Sequence, residues 1–384
     1  MNNTDNTNKI MYITGSFPRL GDGIGDAAGK LYEAMPPKSD ILLVTSDIPA
    51  IREYTEERGY KNLLLLPDWK FSSINTLIGT IRREKITNVL IEYAGNGYRK
   101  DLAISFLPLR LRIRNFFSKK KIECHLRLHE YTMCRPARKI FTMPLIWFCH
   151  HLDTPSYVEY DHLKKKFGDK VFKSGIGSNI SWRETKKPPI TDQGKINLGF
   201  FGGIYPGKGI ETLIGLWSRL EQQYPDKFRY YLLGGYPKDL TNAFDSYQAS
   251  VERSIEKAGL KDKLIVTGFL PEKEIEEKLD LIDIAVLPYE DGLTLRRGSF
   301  LAFLGRNVAI VTSQGDAEAR QLFETAKGVR MCADQEEMLQ EVLKYSEGNA
   351  YYEAGVDNAR FRSRFDWGDI AVNVLGSFRF TASK

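Results

Sequence analysis

The chain has 384 residues, 42% of them hydrophobic and 27% charged, which is an ordinary globular composition at a length that predicts two domains. Residues 1–9 are polar, which excludes a secretory signal there, and the longest apolar stretch, residues 143–148, is too short to span a bilayer. We therefore expect a cytoplasmic protein without low-complexity segments or solenoid repeats.

The first half of the chain alternates between apolar runs and helical segments. The runs that have the length and composition of strands are residues 9–14, 41–45, 62–66, 88–91 and 125–128. A glycine-rich turn at 15–25 and a helical pattern at 26–35 follow the first strand. Strands that alternate with helices indicate βαβ units and a parallel sheet.

After residue 180 the composition changes. Residues 181–195 are polar, contain Pro188 and Pro189 and lack apolar periodicity, which predicts a linker. A second series of strands follows, at residues 196–201, 230–233, 264–267, 284–287 and 308–312, with a turn at 202–208 and a helix at 209–220 after the first. Two such series predict two doubly wound α/β domains, with a ligand site at the carboxyl ends of the strands and in the crevice between the domains.

The cysteines and histidines give little indication of a metal. The chain has four cysteines, Cys124, Cys134, Cys149 and Cys332. They form no CxxC pair, so we predict buried free thiols, and zinc ligation by Cys124 with His125 or His129 is the alternative. We expect His150 and His151 at the solvated end of a helix.

A basic stretch lies at residues 108–121, which contain no acid. Its basic side chains are Arg110, Arg112, Arg114, Lys119, Lys120 and Lys121, and the apolar ones between them are Leu109, Leu111, Ile113, Phe116 and Phe117. This mixture suits an anionic membrane surface, and a solvated helix with a buried apolar stripe is an equal alternative. Nucleic-acid binding is not predicted, because no nucleic-acid motif accompanies the stretch.

A glycine-rich turn follows the first strand of each half. In the first turn, residues 21–26, glycines allow a ligand to approach the backbone and the helix start favours an anion, but Ala28 breaks the GxGxxG spacing. Its aspartates would repel a phosphate and could contact sugar hydroxyls instead, and a simple tight turn is the alternative. In the second turn, Lys208 could hold a phosphate as a point charge. Gly209 leaves the P-loop pattern incomplete, so a surface lysine is the alternative.

Two further positions could contribute to a site. Arg296, Arg297, Gly298 and Ser299 follow a strand and begin an apolar helix, where they could hold a diphosphate, although an ordinary basic helix cap has the same composition. His129 ends an apolar strand, and such positions tend to face ligand in doubly wound sheets, although a lone histidine is more often structural.

Taken in order, several segments resemble the retaining glycosyltransferases of family 4, which have the GT-B fold. The segments are SFPRLGDGIGD, LRLHE, KSGIGSNI, FGGIYPGKGIETLI, VTGFLPEKEIEEKLDLIDIAVLPYEDG and RFDWGDIAVNVLGSFR. The resemblance implies an α/β protein with two facing Rossmann-like domains. Residues 1–182 would bind the acceptor, 183–195 would be the linker, 196–364 would bind a nucleotide sugar, and a helix at 365–384 would pack back on the N-terminal domain.

The chain departs from the family pattern at one segment. Aligning LTLRRGSFLAFLGRNVAIVTS with the family places Thr294 and Ala302 where two glutamates are usual, with Asn307 at a usual glycine and Ala309 at a usual proline. A branch of the family carries RRGS in this place, and the chain resembles that branch.

Other residues would have to replace the missing groups. Glu290 or Asp291 would supply the carboxylate. Arg296 or Arg297 would supply the charge of an arginine that often stands where this chain has Gly203.

The resemblance implies a role for each matching residue. Catalytic roles fall to His129, Lys208 and Arg297. Binding of the donor diphosphate falls to Gly23, Gly203, Lys208, Arg296, Arg297, Gly298 and Ser299. Nucleotide binding falls to Gly268, Phe269, Leu270, Glu290 and Thr294. The residues that would lie on the acceptor side are Asp22, Glu130 and Arg138.

The implied activity is transfer of a sugar from a nucleotide-diphosphate donor to a glycan or lipid-linked acceptor, with retention of configuration. No metal and no cofactor besides the nucleotide sugar are expected, and the pathway would be synthesis of a cell-envelope polysaccharide. The basic stretch would then allow peripheral binding to the inner face of the membrane. The missing glutamates leave one alternative open, a degenerate protein that only binds a sugar nucleotide. A nucleotide-sugar epimerase of the same fold is a second alternative, which the missing carboxylates disfavour.

Overall fold

A computed structural model describes residues 9–19, 23–35, 40–95, 97–99, 101–132, 134–183, 194–236 and 243–376. The chain divides into two compact units. Unit 1 comprises Met1–Asn179 and Asp366–Lys384, and unit 2 comprises Ile180–Phe365. Most of the predicted linker, residues 184–193, lies outside the described residues.

In the described part of the chain, unit 1 contains a seven-stranded parallel sheet. Its strands are β1 (Ile10–Thr14), β2 (Ile41–Ser46), β3 (Leu63–Leu66), β4 (Asn88–Tyr93), β5 (Glu123–Leu128), β6 (His151–Asp153) and β7 (Val171–Phe172). The spatial order is β3-β2-β1-β4-β5-β6-β7, so the chain reverses direction across the sheet between β1 and β4. That pair is the topological switch point.

The helices of unit 1 cover the sheet, which explains why β1 and β4 are buried along their whole length. They are α1 (Gly23–Ala34), α2 (Pro49–Glu57), α3 (Phe71–Arg83), α4 (Leu107–Phe116), α5 (Pro136–Phe148) and α6 (Tyr157–Phe167). Helix α1 begins at Gly23, earlier than the predicted residue 26, because its first glycines already adopt helical geometry.

Unit 2 contains a six-stranded parallel sheet with the order β10-β9-β8-β11-β12-β13 in the residues described. Its strands are β8 (Ile196–Phe201), β9 (Phe228–Leu233), β10 (Leu264–Val266), β11 (Ile284–Leu287), β12 (Ala309–Ser313) and β13 (Val329–Cys332). The switch point lies between β8 and β11. Its helices are α7 (Ile210–Gln223), α8 (Ala243–Lys257), α9 (Glu272–Leu279), α10 (Gly298–Leu304), α11 (Ala317–Leu322), α12 (Gln335–Tyr345) and α13 (Ala350–Asp357).

The last helix, α14 (Trp367–Gly376), belongs to unit 1. The indole nitrogen of Trp367 donates a hydrogen bond of 2.8 Å to the carbonyl oxygen of Ser178. Its ring lies so close to Gly177 that a Cβ there would be 2.7 Å away. Ile370, Ala371 and Val374 join the core on the α1 side of the sheet. The prediction of two doubly wound domains with a C-terminal helix on the N-terminal one is confirmed.

The structure corrects several local predictions. The short strands β6, β7 and β13 were not predicted. His150 and His151 are half-buried rather than solvated, because His151 begins β6. Cys124, Cys149 and Cys332 are buried free thiols as predicted, and Cys134 is partly exposed. No helix in the described residues is both long and apolar enough to cross a membrane.

Candidate functional site

At the switch point of unit 2, the turn after β8 packs directly against the end of β11. Gly209, the residue before α7, has a φ of +73°, and a Cβ on it would overlap with the carbonyl oxygen of Pro288. Only glycine combines this backbone conformation with this close approach. The first turn of α7, with its unpaired amide groups, therefore lies at the carboxyl edge of the sheet.

The next strands bring the predicted nucleotide-binding segment to the same edge. The amide of Gly202 donates to the carbonyl oxygen of Leu233 at the end of β9 (2.9 Å), and that of Ile204 donates to Gly235 (2.9 Å). A Cβ on Gly235 would lie 2.8 Å from the ring of Phe269, which is 64% exposed. Gly203, Gly268, Phe269 and Leu270 are thus brought together by the ends of β8, β9 and β10.

Arg297 is held in place beside this turn. Its guanidinium lies over the ring of Tyr289, 4.5 Å from the centroid, and forms an ion pair with Asp291. The hydroxyls of Tyr289 and Ser299 are 2.6 Å apart. The Cβ of Ser299 would lie 3.8 Å from a Cβ on Gly202. This places the start of α10 against the glycine turn, as the diphosphate hypothesis requires.

The two arginines of the RRGS segment differ in their environment. The side chain of Arg297 is only 17% exposed, whereas Arg296 is an exposed residue. Burial raises the pKa of the Tyr289 hydroxyl, so this ring stays neutral beneath the guanidinium. Arg297 is therefore the better positioned of the two to meet a fixed anion.

The remaining predicted residues of unit 2 lie around the same edge. Lys208 is half-buried, and its Nζ lies 4.8 Å from the centroid of the Tyr205 ring. Glu290 is exposed at the end of β11. Asp291 is engaged by Arg297, which leaves Glu290 as the better substitute for the missing carboxylate. The carbonyl oxygen of Thr294 accepts a hydrogen bond of 3.1 Å from the amide of Arg297, so Thr294 supports the start of α10.

In unit 1, a buried charged network lies at the carboxyl ends of β4 and β5. Nε2 of His129 is 2.7 Å from Oε1 of Glu92, and Nε of Arg127 is 3.4 Å from the same oxygen. The Tyr12 hydroxyl donates to the other carboxylate oxygen. All four residues are almost fully buried. The hydrogen bond to Glu92 fixes the imidazole ring of His129 through Nε2, and Nδ1 is the ring nitrogen that does not contact this carboxylate.

Electrostatics keep the Glu92 carboxylate ionised. Burial raises the pKa of Glu92, but the hydrogen bond and charge interaction with His129 and the charge of Arg127 outweigh burial, so this pKa is lowered. Burial likewise lowers the pKa of Arg127, and the charges of Asp153 and Glu92 reverse that effect and raise it. The network therefore keeps its charges in the interior of the unit.

The network extends through Arg127 to the neighbouring strand β6. Its guanidinium forms an ion pair with Asp153, donates to the Ser174 hydroxyl, and donates to the carbonyl oxygen of Gly175 at 2.7 Å. Asp153 also accepts from the amide of Ser174 at 3.0 Å. Arg127 thus links β4, β5 and β6 from a buried position and pairs with one acidic residue on each neighbouring strand, Glu92 and Asp153.

The predicted acceptor residues lie after β5. Glu130 is exposed, and its carbonyl oxygen accepts from the thiol of Cys134. The guanidinium of Arg138, on α5, covers Gly95 after β4 so closely that a Cβ there would overlap with it. Gly23 begins α1, where its carbonyl oxygen accepts from the Asn179 side chain at 3.1 Å. Asp22 lies outside the described residues.

Sequence reasoning missed several residues that build this edge. Glu92 is the single acid of NVLIEY, and a charge in a strand that is otherwise largely apolar was the available signal. Asp153 ends the three-residue strand HLD, which is too short to give such a signal. Glu159 of α6 was missed as well, although its carboxylate accepts from the amides of Tyr131 and Thr132 (both 3.0 Å) and so fixes the loop after His129.

Unit 1 also carries an exposed basic and apolar surface, which we call the α4 surface. Helix α4 buries Leu107 and Leu111, yet Ile113 (54% exposed), Phe116 (82%) and Phe117 (82%) point to solvent. Three arginines line the groove beside them: Arg82, Arg110 and Arg114. In the residues that the structure describes, none of these arginines forms an ion pair with a carboxylate. The apolar residues of this segment are therefore only partly a buried stripe.

Comparison with known proteins gives a partial match in sequence. The sequence model described as "Glycosyl transferases group 1" matches residues 182–294, which is less than half of the chain and ends before the two arginines. No curated protein has a sequence that matches the chain.

Solved structures match over the whole length. The chain is similar to sucrose-phosphate synthase from Thermosynechococcus elongatus (TM-score 0.70, 13% identity, 98% of this chain and 100% of that one). It is similar to Anabaena HepE in complex with UDP and glucose (TM-score 0.67, 12% identity, 97% of this chain and 99% of that one). It is also similar to the lipopolysaccharide outer core galactosyltransferase WaaB (TM-score 0.64, 11% identity, 96% of this chain and 99% of that one). At these identities the likeness shows the fold, which is GT-B.

Proposed function

We propose that this chain is a glycosyltransferase that uses a nucleotide-diphosphate sugar as donor. The observation that carries the proposal is the convergence at the switch point of unit 2. There the glycine turn after β8, the first turn of α7, Arg297 and Ser299 come together. The partial family match and the GT-B fold support the same activity, and a relative of this fold binds UDP and glucose.

In this proposal, the carboxyl edge of the six-stranded sheet binds the nucleotide and its diphosphate. Free amides at the start of α7 and the charges of Lys208 and Arg297 stabilise the negative charge that develops on the leaving diphosphate. Phe269 and Gly268 border the nucleotide, and the exposed Glu290 is placed to accept from its ribose. Such preorganised groups act without reorganisation during the reaction and are often the largest single contribution to catalysis.

We assign the edge of the seven-stranded sheet to the transferred sugar and the acceptor. His129 would hydrogen-bond a sugar hydroxyl rather than act as a base, and its contact with Glu92 would hold the ring in position. Glu130 and Arg138 would contact the acceptor. We further propose that the configuration is retained, with the acceptor hydroxyl attacking on the face of the leaving group and a phosphate oxygen taking its proton. No metal is required in this mechanism.

The proposed acceptor is a carbohydrate, lipid-linked or otherwise membrane-bound, of a cell-envelope polysaccharide. The α4 surface supports this choice, because exposed aromatic residues beside arginines that form no ion pair in the described residues fit an anionic lipid surface. The enzyme would then bind peripherally where such an acceptor is anchored. A structural relative acts on lipopolysaccharide outer core.

The first experiment is a thermal-shift screen of the purified protein against UDP, GDP, ADP, CMP, dTDP and their sugar conjugates without added metal. Ligand at about 100 times its Kd should stabilise the protein by about 2.7 kcal/mol. Lys208→Ala should abolish the shift. Lys257→Ala, which removes an exposed lysine of α8, should leave it unchanged. A flat response across the panel would contradict the proposal.

Turnover separates the transferase from its rivals. A donor that stabilises the protein but is neither transferred nor hydrolysed would indicate a degenerate binding protein. Conversion of the donor to an epimer without an acceptor would indicate an epimerase.

A further inference from the structure

A cluster of metal-binding residue types lies in unit 1, away from the edge that carries His129. Glu123 begins β5, His125 follows on the same face, and His151 begins β6. In the parallel pairing of these strands, His125 lies directly opposite His151. One potential ligand atom from each residue lies within 4.8 Å of the other two. We propose that Glu123, His125 and His151 form a binding site for a divalent transition-metal ion, with Zn²⁺ as the natural occupant.

The three side chains are neighbours within reach of a single ion after side-chain rotation. Nε2 of His125 lies 3.5 Å from Oε2 of Glu123. The two imidazole rings are stacked, with centroids 4.8 Å apart and planes 12° from parallel. Zinc binds nitrogen and carboxylate oxygen at about 2.0–2.2 Å, so in tetrahedral coordination two of its ligand atoms are about 3.4 Å apart. An imidazole binds a metal in the plane of its ring, so His151 has to rotate out of the stack, and the ligand atoms have to close by up to about 1.4 Å, to bring all three onto one ion.

The surroundings of these side chains also favour a bound ion. Both imidazoles are shielded from solvent, since His125 is buried and His151 is half-buried. Nε2 of His151 is buried without a hydrogen-bond partner in the residues described. A buried polar atom in this state costs free energy, and a bound ion would remove that cost.

The donor set also indicates which ion binds. Two imidazoles and one carboxylate suit Zn²⁺, with a fourth position open to water on the half-exposed side. Arg112 and Lys170 lie close enough to add positive charge near His151. This charge disfavours ions held mainly by electrostatic attraction, such as Mg²⁺ and Ca²⁺, relative to ions that bond strongly to imidazole.

The position of the site indicates a structural role. It lies at the amino ends of β5 and β6, whereas the pair Arg127 and Asp153 lies at the other end of the same short ladder. Strand β6 has only three residues, so an ion across its first position would fix the register that also places Asp153 on Arg127. The inference does not depend on the proposed function.

Titration of the untagged, chelator-treated protein with Zn²⁺, followed by calorimetry and thermal shift, tests the site. We expect one ion per chain, a rise in Tm, and at least tenfold weaker binding in His151→Ala and in Glu123→Gln. His162→Ala removes an exposed histidine of α6 and should bind as the wild type does. Glu123→Gln keeps the test valid if His151→Ala does not fold, since the Glu123 side chain is 24% exposed.

Co²⁺ provides a second measurement on the same proteins. Visible d–d bands without a thiolate charge-transfer band would support histidine and carboxylate ligation. A thiolate band would assign the metal to a cysteine and overturn the proposal. Zn²⁺ binding that is absent, or unchanged in both variants, would overturn it as well.

Discussion

Oε1 of Glu92 lies 2.7 Å from Nε2 of His129, so a buried carboxylate on β4 positions the histidine at the end of β5. The same carboxylate accepts from the Tyr12 hydroxyl and lies 3.4 Å from Nε of Arg127. In the proposed enzyme His129 contacts substrate and Glu92 acts through it, as the orienting acid of a catalytic triad acts through its histidine.

We expect Glu92→Gln to lower kcat by on the order of 10² while changing KM little, because the amide keeps the shape of the side chain but loses the charge that holds His129 and Arg127. Steady-state kinetics with the donor identified by thermal shift measure this. Tyr12→Phe is the control, since it removes one neutral donor to the same carboxylate, and it should lose about 1.5–3 kcal/mol of stability because the acceptor is charged. Equal kcat for Glu92→Gln and wild type would exclude a positioning role.

The same residue should make stability depend on acid pH. The pKa of Glu92 is lowered in the folded protein, whereas a glutamate in the unfolded chain has a pKa of about 4.3. Its contribution is therefore fully present above this pH and is lost as the pH falls through the lower, folded-state pKa. Urea unfolding between about pH 5 and about pH 3 should show a steeper loss of unfolding free energy in the wild type than in Glu92→Gln. Parallel curves would show that Glu92 does not contribute.

Arg297 and Arg296 should differ in their effect on activity. Arg297 is held over Tyr289 and against the glycine turn, whereas Arg296 is exposed. Loss of one preorganised donor to the leaving group costs roughly 10²–10³ in rate, so we expect a loss of this size for Arg297→Ala and a change of less than about tenfold for Arg296→Ala. The ratio of the two kcat/KM values is the decisive measurement. A larger loss for Arg296→Ala would reverse the assignment.

The glycine turn should tolerate a side chain at Gly207 better than at Gly209. Both have positive φ, +90° and +73°, but only Gly209 faces the carbonyl oxygen of Pro288, and a Cβ on Gly207 meets no atom within 4 Å. Gly207→Ala should cost about 1 kcal/mol from backbone strain alone. Gly209→Ala should cost more and weaken nucleotide binding, because β11 and the turn must separate. Denaturant unfolding compares the two, and similar values would mean that the close approach is unimportant.

The α4 surface should bind anionic liposomes. Each exposed phenylalanine that inserts contributes about 1.5–3 kcal/mol, so Phe116→Ser with Phe117→Ser should weaken sedimentation with anionic vesicles at least tenfold. Binding should fall with added salt, because the arginines contribute electrostatic attraction. Val372→Ser removes an exposed apolar residue of α14 and serves as the control. Vesicle binding that changes neither with salt nor in the double variant would contradict the proposed membrane contact.

Much of the fold was predictable because parallel strands and their helices leave local signals. The buried strands β1, β4, β8 and β11 are mainly apolar runs, and the turn after β8 needs glycine where the backbone passes Pro288. Strands β6 and β7 were missed because two or three residues carry no periodicity.

The sequence by itself determined two doubly wound domains, the glycine turn, the two arginines and the histidine at a strand end, because each depends on residues that are close along the chain. The tertiary structure decided which of them have partners. Glu92, Arg127 and Asp153 come from three strands and meet only because these strands are neighbours in one sheet. Likewise, burial distinguishes Arg297 from Arg296, and strand pairing brings His151 beside His125. Contacts between residues far apart in sequence are set by packing, and no local pattern encodes them.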